Sequence, residues 1–405
     1  MTDLIANPPA AEGGRPAEPP AATREPVVKI GRRPELDGVR GLAILFVLLA
    51  HGGLLGDGNI GVDVFFALSG FLITNLLYSE WNKRGTISFR HFYARRARRL
   101  GPALVLVLAG IGIARLCGVV FRYSWESAPW PFWKMAGSTL LFVNNWIVGL
   151  FPSGGGDLGP MSPTWSLASE EQFYFLWPLV LWLLLRRKTS PFKIGMILIA
   201  VIMALMVATS FMIHRWSGYN PYFGPFDRFA ELLVGCLAAV IWQQGGAVRF
   251  ARYRLAGWLA FGFLLLDLAG GANLSARGTF LAACLASATL ILSLCQTPDG
   301  LLGEIFRFGP LRHLGKISYG LYLYQLPFDM IIKRYLPHLS WPGAEAANVI
   351  VLCLFSIPFA TLSWRLVESR ILNYRRPSSG STPPAAETTG NPPAYSHAGS
   401  ALAGG

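Results

Sequence analysis

Charged residues are scarce in this 405-residue chain, and their scarcity excludes a water-soluble globular protein. Asp, Glu, Lys and Arg make up 14% of the residues, whereas soluble domains contain roughly 25%. Hydrophobic residues make up 53%. They fall into blocks of about 17 to 25 residues, the helix length that crosses a hydrocarbon core of about 30 Å. The sequence therefore predicts an all-α, polytopic helix bundle in the cell membrane.

The chain also lacks the patterns of a disulfide framework, a metal centre or a nucleic-acid-binding face. All five cysteines lie in or beside apolar blocks without metal-ligand spacing: Cys117, Cys236, Cys284, Cys295 and Cys353. The formal charge is +13, but Lys and Arg form short clusters between apolar blocks rather than one basic face. We therefore expect membrane lipid as a partner, no nucleic acid and no metal.

Eleven apolar blocks set the expected topology. They lie near 38–55, 60–79, 100–121, 132–150, 166–185, 192–213, 227–243, 255–270, 274–295, 313–335 and 346–367. Six basic clusters should all be cytoplasmic by the positive-inside rule, and the fourth block then cannot cross the membrane. Its Lys134, Asn144 and Asn145 also favour a re-entrant or surface helix. We expect about ten transmembrane helices with both termini cytoplasmic.

The two ends of the chain have a different composition from the middle. Residues 1–33 and 377–405 are rich in Pro, Ala and Gly and contain no apolar block. We expect both segments to be disordered cytoplasmic tails. One membrane-embedded domain should cover residues 34–376.

Ionisable residues inside apolar blocks are costly and mark candidate functional sites. In the first block, Arg40 and His51 are eleven residues apart, so they share one helix face about 16 Å apart along the axis. Alternatively, Arg40 reaches the interface and His51 is a hydrogen-bonded core histidine. In the second block, Asp63 is expected either to orient an imidazole or to pair with an arginine.

Two further groups of charged residues lie near block ends. The segment RHFYARRARRLGP carries Arg95, Arg96, Arg98 and Arg99, which set topology and could also grip phosphates. The fifth block carries Glu170 and Glu171, expected at the outer mouth. Either glutamate could act as a base or bind a polar acceptor. The alternative is a favourable helix N-terminus with Ser166 as its cap.

The ordered motifs resemble the acyltransferase 3 family of integral membrane O-acyltransferases. The matching segments are LDGVRGLAILFVLLAH, GVDVFFALSGFLI, FYARRARRLGP, WSLASEEQFYFLWPL, RFAELLVGCLA, LGKISYGLYLYQLP and VES, over about residues 34 to 369. The resemblance implies ten helices and a cytoplasmic acyl-CoA donor, acetyl-CoA in particular, with no permanently bound cofactor. The chain departs from the family at Gln325, where many members have histidine.

The resemblance also implies roles for individual residues. Arg40, Arg95 and Arg98 would bind the donor. His51 would be a general base or a transient acyl carrier, with Asp63 orienting it and Glu170 binding the acceptor. The acceptor would be a carbohydrate, a lipid-linked glycan or a glycosylated metabolite. The alternative function is a transporter or flippase that uses the same polar residues without covalent chemistry.

Overall fold

The computed structural model describes most of the chain as helix. The described residues are 33–55, 59–118, 131–150, 158–216, 219–220, 222–244, 253–270, 280–335 and 343–373. Within them the all-α prediction is confirmed. Residues 1–32 and 374–405 lie outside the described ranges, and with them almost all of the two predicted tails.

Fourteen α-helices are present in the described part of the chain. They are α1 Pro34–His51, α2 Asn59–Arg84, α3 Phe89–Leu116, α4 Phe132–Leu140, α5 Asn144–Leu150, α6 Thr164–Arg186, α7 Pro191–Arg215, α8 Pro225–Gln243, α9 Tyr253–Leu268, α10 Phe280–Gln296, α11 Leu301–Arg307, α12 Gly309–Tyr335, α13 Ala344–Ser363 and α14 Ser369–Asn373. A 3-10 turn, Gly159–Met161, precedes α6, and a π-helical turn, Trp364–Glu368, joins α13 to α14.

Fewer helices than expected are long and apolar enough to cross a membrane. Among the described residues they are Ile60–Arg84, Phe89–Leu116, Pro191–Arg215 and the continuous stretch Ala344–Leu372, and α10 with α11 would add a fifth with a 101° bend. Ten transmembrane helices are therefore not confirmed. The reason is partly chemical, since α1 and α8 each carry three charged residues within 18 or 19 residues. Helices α9 and α10 are short, at 16 and 17 residues.

The outer surface of α7 has the character expected of a membrane protein. Its exposed side chains include Phe192, Val207 and Phe211, which are 70%, 67% and 65% accessible. Apolar side chains of this size are rarely left in water over a whole helix face. Lipid contact explains their exposure.

The fourth apolar block folds as α4 and α5, with nine and seven residues. Neither can cross about 30 Å of hydrocarbon at 1.5 Å per residue, in agreement with the expectation for this block. Asn144 is buried and its amide donates to the hydroxyls of Thr139, at 2.8 Å, and Thr164, at 2.5 Å. The asparagine thus ties the short helices to α6.

Two closely packed helix pairs form the centre of the bundle. Helices α1 and α12 run in the same direction, because Gly315 lies against Asp37 and Lys333 lies against His51. A Cβ at Gly315 would overlap the backbone carbonyl of Asp37. Helices α2 and α8 also run in one direction, and a Cβ at Gly235 would overlap the carbonyl of Ala67. Glycine at these positions allows backbone contact between the helices.

Candidate active site

A basic cavity opens beside the N-terminal end of α1. Its volume is about 570 Å³, and its walls come from α1, α2, α3, α12 and the segment that follows α13. Four basic and two acidic side chains line it: Arg33, Arg40, Arg99 and Lys316 with Asp37 and Glu368. This excess of positive charge in a concave site suits an anionic ligand.

A smaller inner cavity adjoins the basic cavity and lies farther along α12. Its volume is about 60 Å³, and it shares Arg40 and Tyr319 with the basic cavity. Hydroxyl groups of Ser69, Ser318 and Tyr322 also line it. The inner cavity therefore extends the basic cavity into the bundle, with a few polar side chains set in mostly apolar walls.

Arg40 connects the two cavities. It is six residues into α1, about 9 Å from the helix start. Its Nε is buried without a hydrogen-bond partner in the described structure. Because a buried guanidinium normally has all its donors paired, this site is suited to an additional acceptor from a ligand.

Glu170 lines the inner cavity rather than the mouth of the bundle. It lies six residues, about 9 Å, beyond the start of α6, and Ser69 Oγ donates to its Oε1 at 2.8 Å. Ser166 does not cap the helix, since its hydroxyl lies 2.7 Å from Tyr322 Oη. Glu171 does not line the inner cavity and pairs with Arg96 at 3.3 Å. The structure thus brings Glu170 and Arg40 to one cavity.

The arginine segment forms the first part of α3. Arg96 and Arg99 are three residues apart and share the inward face. Arg99 lines the basic cavity, and Arg96 lies 3.4 Å above the Tyr174 ring. Arg95 is 47% exposed and pairs with Glu80, while Arg98 is exposed and bonds to a carbonyl of its own helix. The structure does not bring Arg95 or Arg98 to the cavity.

Glu368 is a cavity residue that sequence reasoning did not single out. It is 2% exposed and belongs to the π-helical turn Trp364–Glu368. Ser363 Oγ donates to its Oε1 at 2.9 Å. Single π-helical turns inside α-helices are frequent at functional sites. The only sequence signal was its place in the VES segment.

His51 lies at the other end of α1 and lines neither cavity. Its Nδ1 is 2.9 Å from the Val47 carbonyl, which can only accept, so Nδ1 carries the proton. In the neutral ring the lone pair is then on Nε2. Lys333 Nζ donates to the His51 carbonyl at 2.8 Å and pairs with Asp329 at 2.7 Å. This hydrogen bond selects the tautomer in which Nε2 is the basic nitrogen.

Asp63 pairs with an arginine, one of its two expected roles. Its Oδ1 accepts from Arg228 Nη1 at 2.7 Å, and the same nitrogen lies 2.8 Å from Glu231 Oε1. All three side chains are buried, and the guanidinium lies over the rings of Tyr222 and Phe280 at 4.5 and 4.4 Å. The hydrogen bonds described for Asp63 and for the His51 ring do not join these two residues. In the sequence, the only sign of Arg228 was its place as the first residue of the motif RFAELLVGCLA.

Gln325 is fully buried in α12, and both polar atoms of its amide lack hydrogen-bond partners in the described structure. Leaving a buried polar group unpaired costs about 1–3 kcal/mol. The described residues therefore provide no hydrogen-bond partner for this amide. Among all the described residues, no three His, Cys, Asp or Glu side chains form a group that could hold a metal.

Comparison with known proteins identifies the family of this chain. Residues 33–365 match the family model described as the acyltransferase domain, which covers well over half of the chain. The chain belongs to the acyltransferase 3 family. The resemblance seen in the motifs is thereby confirmed, and the chain contains the acyltransferase domain that defines this family.

Two named relatives illustrate the similarity. The peptidoglycan O-acetyltransferase OatA of Listeria monocytogenes is 31% identical over 364 residues, which cover 84% of this chain and 55% of the relative. The O-acetyltransferase OatA of Staphylococcus aureus is 30% identical over 363 residues, covering 84% and 57%. The chain thus spans about half the length of these relatives. No solved structure matches it.

Proposed function

We propose that this acyltransferase moves an acetyl group from cytoplasmic acetyl-CoA to a hydroxyl of a carbohydrate acceptor. The observation that carries the proposal is the basic cavity that contains Arg40 and Arg99. CoA is a polyanion with several phosphates, and arginines bind phosphate oxygens with charge-assisted hydrogen bonds. The relatives named as O-acetyltransferases support the acetyl group and the oxygen acceptor.

The acceptor class follows from the same relatives. One of them is named for peptidoglycan, a carbohydrate polymer. We therefore place a cell-wall glycan first, with a lipid-linked glycan or a glycosylated metabolite as other members of the class. The basic end of the bundle faces the cytoplasm in this proposal, with both termini on that side and several helices crossing the membrane.

His51 is the proposed catalytic residue. As a base, Nε2 removes the proton of the acceptor hydroxyl while the oxygen attacks the thioester carbonyl. The tetrahedral intermediate then expels the CoA thiolate, which takes the proton from the imidazolium. As a carrier, Nε2 attacks the thioester first and CoA leaves as thiolate, which gives an acyl-imidazolium. The acceptor hydroxyl then attacks this acyl group, its proton passes to the departing Nε2, and the resulting imidazolium protonates the thiolate. Both routes use the tautomer set by the Val47 carbonyl.

The remaining candidate residues have supporting roles in this proposal. Arg40 and Arg99 hold donor phosphates, while Arg95 and Arg98 attract the anion from the surface without direct contact. Glu170 shares the cavity of Arg40, which favours a role in orienting the donor over acceptor binding. Asp63 stabilises the helix core through Arg228.

Transfer of labelled acetyl groups in membranes tests the role of His51. His51→Ala should lower acetylation of glycan at least 100-fold, since general acid–base catalysis contributes about 10²–10⁴-fold. His214→Ala is the matched control, because His214 Nδ1 makes the same bond to a carbonyl four residues earlier, Ser210, at 2.7 Å on α7. It should retain full activity at equal protein levels. Equal labelling by both variants would remove His51 from the mechanism.

A further inference from the structure

Gln325 carries an unexplained feature that points to a ligand. Its side chain is 0% exposed, and neither the amide nitrogen nor the amide oxygen has a partner in the described structure. Two other amides of the described bundle make hydrogen bonds: the buried Asn144 nitrogen donates to two threonines, and the half-buried Gln243 donates to Asn75 at 2.7 Å. A buried amide that remains unpaired in such a bundle is suited to a polar group that arrives with a substrate.

The position of Gln325 along α12 places it between the inner cavity and the histidine. It follows Tyr322 by three residues and Ser318 by seven, and both of these line the inner cavity. Residues three and seven apart share one helix face, so Gln325 continues the cavity-lining face of α12. Lys333, which contacts His51, follows eight residues later, about 12 Å along the helix.

The packing of α1 against α12 sets the route from the cavities to His51. The two helices run parallel, with Gly315 beside Asp37 at one end and Lys333 beside His51 at the other. Arg40, near the Gly315 end, and His51 are about 16 Å apart along α1. A donor with its phosphates at Arg40 and its thioester at His51 must extend along the contact between α1 and α12. It then passes the level of Gln325.

The chemistry of the donor matches the chemistry of the unpaired side chain. The pantetheine arm joins the phosphates of CoA to its thiol and contains two secondary amides among methylene groups. A glutamine amide can donate to an amide carbonyl and accept from an amide N–H. We propose that Gln325 binds an amide of the pantetheine arm and thereby positions the thioester, an inference that rests on the proposed function.

Binding of two ligands to the purified full chain tests this assignment. CoA contains the pantetheine arm, whereas adenosine 3′,5′-bisphosphate carries phosphates without it. Gln325→Leu should weaken CoA binding about three- to tenfold, the range for one hydrogen bond, and leave bisphosphate binding unchanged. Arg99→Ala should weaken both ligands. Gln325→Leu should also melt no lower than wild type, because it removes an unpaired buried amide.

Controls separate the possible outcomes. Gln243→Leu removes a paired amide and should lower the melting temperature without selective loss of CoA. Where Gln325→Leu folds poorly, Gln325→Met removes the amide at similar volume. CoA binding equal to wild type, or equal weakening of both ligands, would overturn the role of Gln325. A wild-type protein that binds neither ligand would instead overturn the proposed donor site.

Discussion

The orientation of single arginines on α3 decides which of them can meet a ligand. Arg98 and Arg99 are adjacent in sequence, yet Arg99 lines the basic cavity and Arg98 is exposed and bonded to its own helix. Residues one apart on a helix point about 100° away from each other. The sequence alone showed four arginines within five positions, and only their helical phase distinguishes them.

This difference predicts unequal effects of two adjacent substitutions. Arg99→Ala should raise the KM for acetyl-CoA at least tenfold, because it removes a charged hydrogen bond worth about 1.5–3 kcal/mol from the donor site. Arg98→Ala should change it less than twofold. Initial rates at varied acetyl-CoA concentrations measure the KM of both variants. Equal effects of the two substitutions would show that the donor binds at the surface instead.

The buried ion cluster of Asp63, Arg228 and Glu231 gives a prediction on stability. Arg228→Met leaves two buried carboxylates without their cation, which should cost about 3–5 kcal/mol and lower the thermal midpoint. Arg84→Met is the matched control, because Arg84 is 62% exposed and its pair with Glu80 is worth at most about 1 kcal/mol. An Arg228→Met variant as stable as wild type would contradict the structural role given to Asp63.

At the scale of helices, the contact between α1 and α12 aligns the cavity with His51. Gly315→Ala should disturb this contact, since its Cβ would overlap the Asp37 carbonyl, and overpacking costs typically about 1–3 kcal/mol. Gly262→Ala in α9 is the control because nothing lies within 4 Å of a Cβ there. It should be neutral or slightly stabilising. Thermal unfolding of the two variants measures the difference in stability. Equal stability would show that the contact between α1 and α12 adjusts to the added methyl group.

Helix existence was largely predictable from the sequence, because long apolar blocks fold as helices in hydrocarbon. The block at 166–185 corresponds to α6, Thr164–Arg186, and the block at 192–213 to α7, Pro191–Arg215. The start of α3 was misplaced by eleven residues, since its arginines interrupt the apolar pattern without interrupting the helix. The seven-residue α11 was too short to give a periodic signal.

The residues of the candidate site were only partly predictable, because their contacts depend on how the helices pack in three dimensions. Arg40 and Glu170 were identified as polar residues in apolar blocks, but their common cavity depends on the packing of α1, α2 and α6. The pairing of Asp63 with Arg228 joins residues 165 positions apart. No spacing rule in one sequence reveals such a contact.

At the scale of the whole molecule, the cavity and His51 lie at opposite ends of α1. We infer that the donor enters at the basic end and that the acetyl group leaves near His51. This arrangement separates the proposed enzyme from a carrier. An enzyme transfers only the acetyl group, whereas a carrier or flippase moves an intact molecule.

Acetyl-CoA labelled separately in its acetyl group and in its adenosine provides the most direct measurement. Membrane vesicles would receive this donor on the face that carries the basic cavity. The proposal predicts that the acetyl label appears in glycan as an alkali-labile ester, while the adenosine label stays on the side where it was added. Movement of both labels together across the membrane, without ester in the glycan, would contradict it.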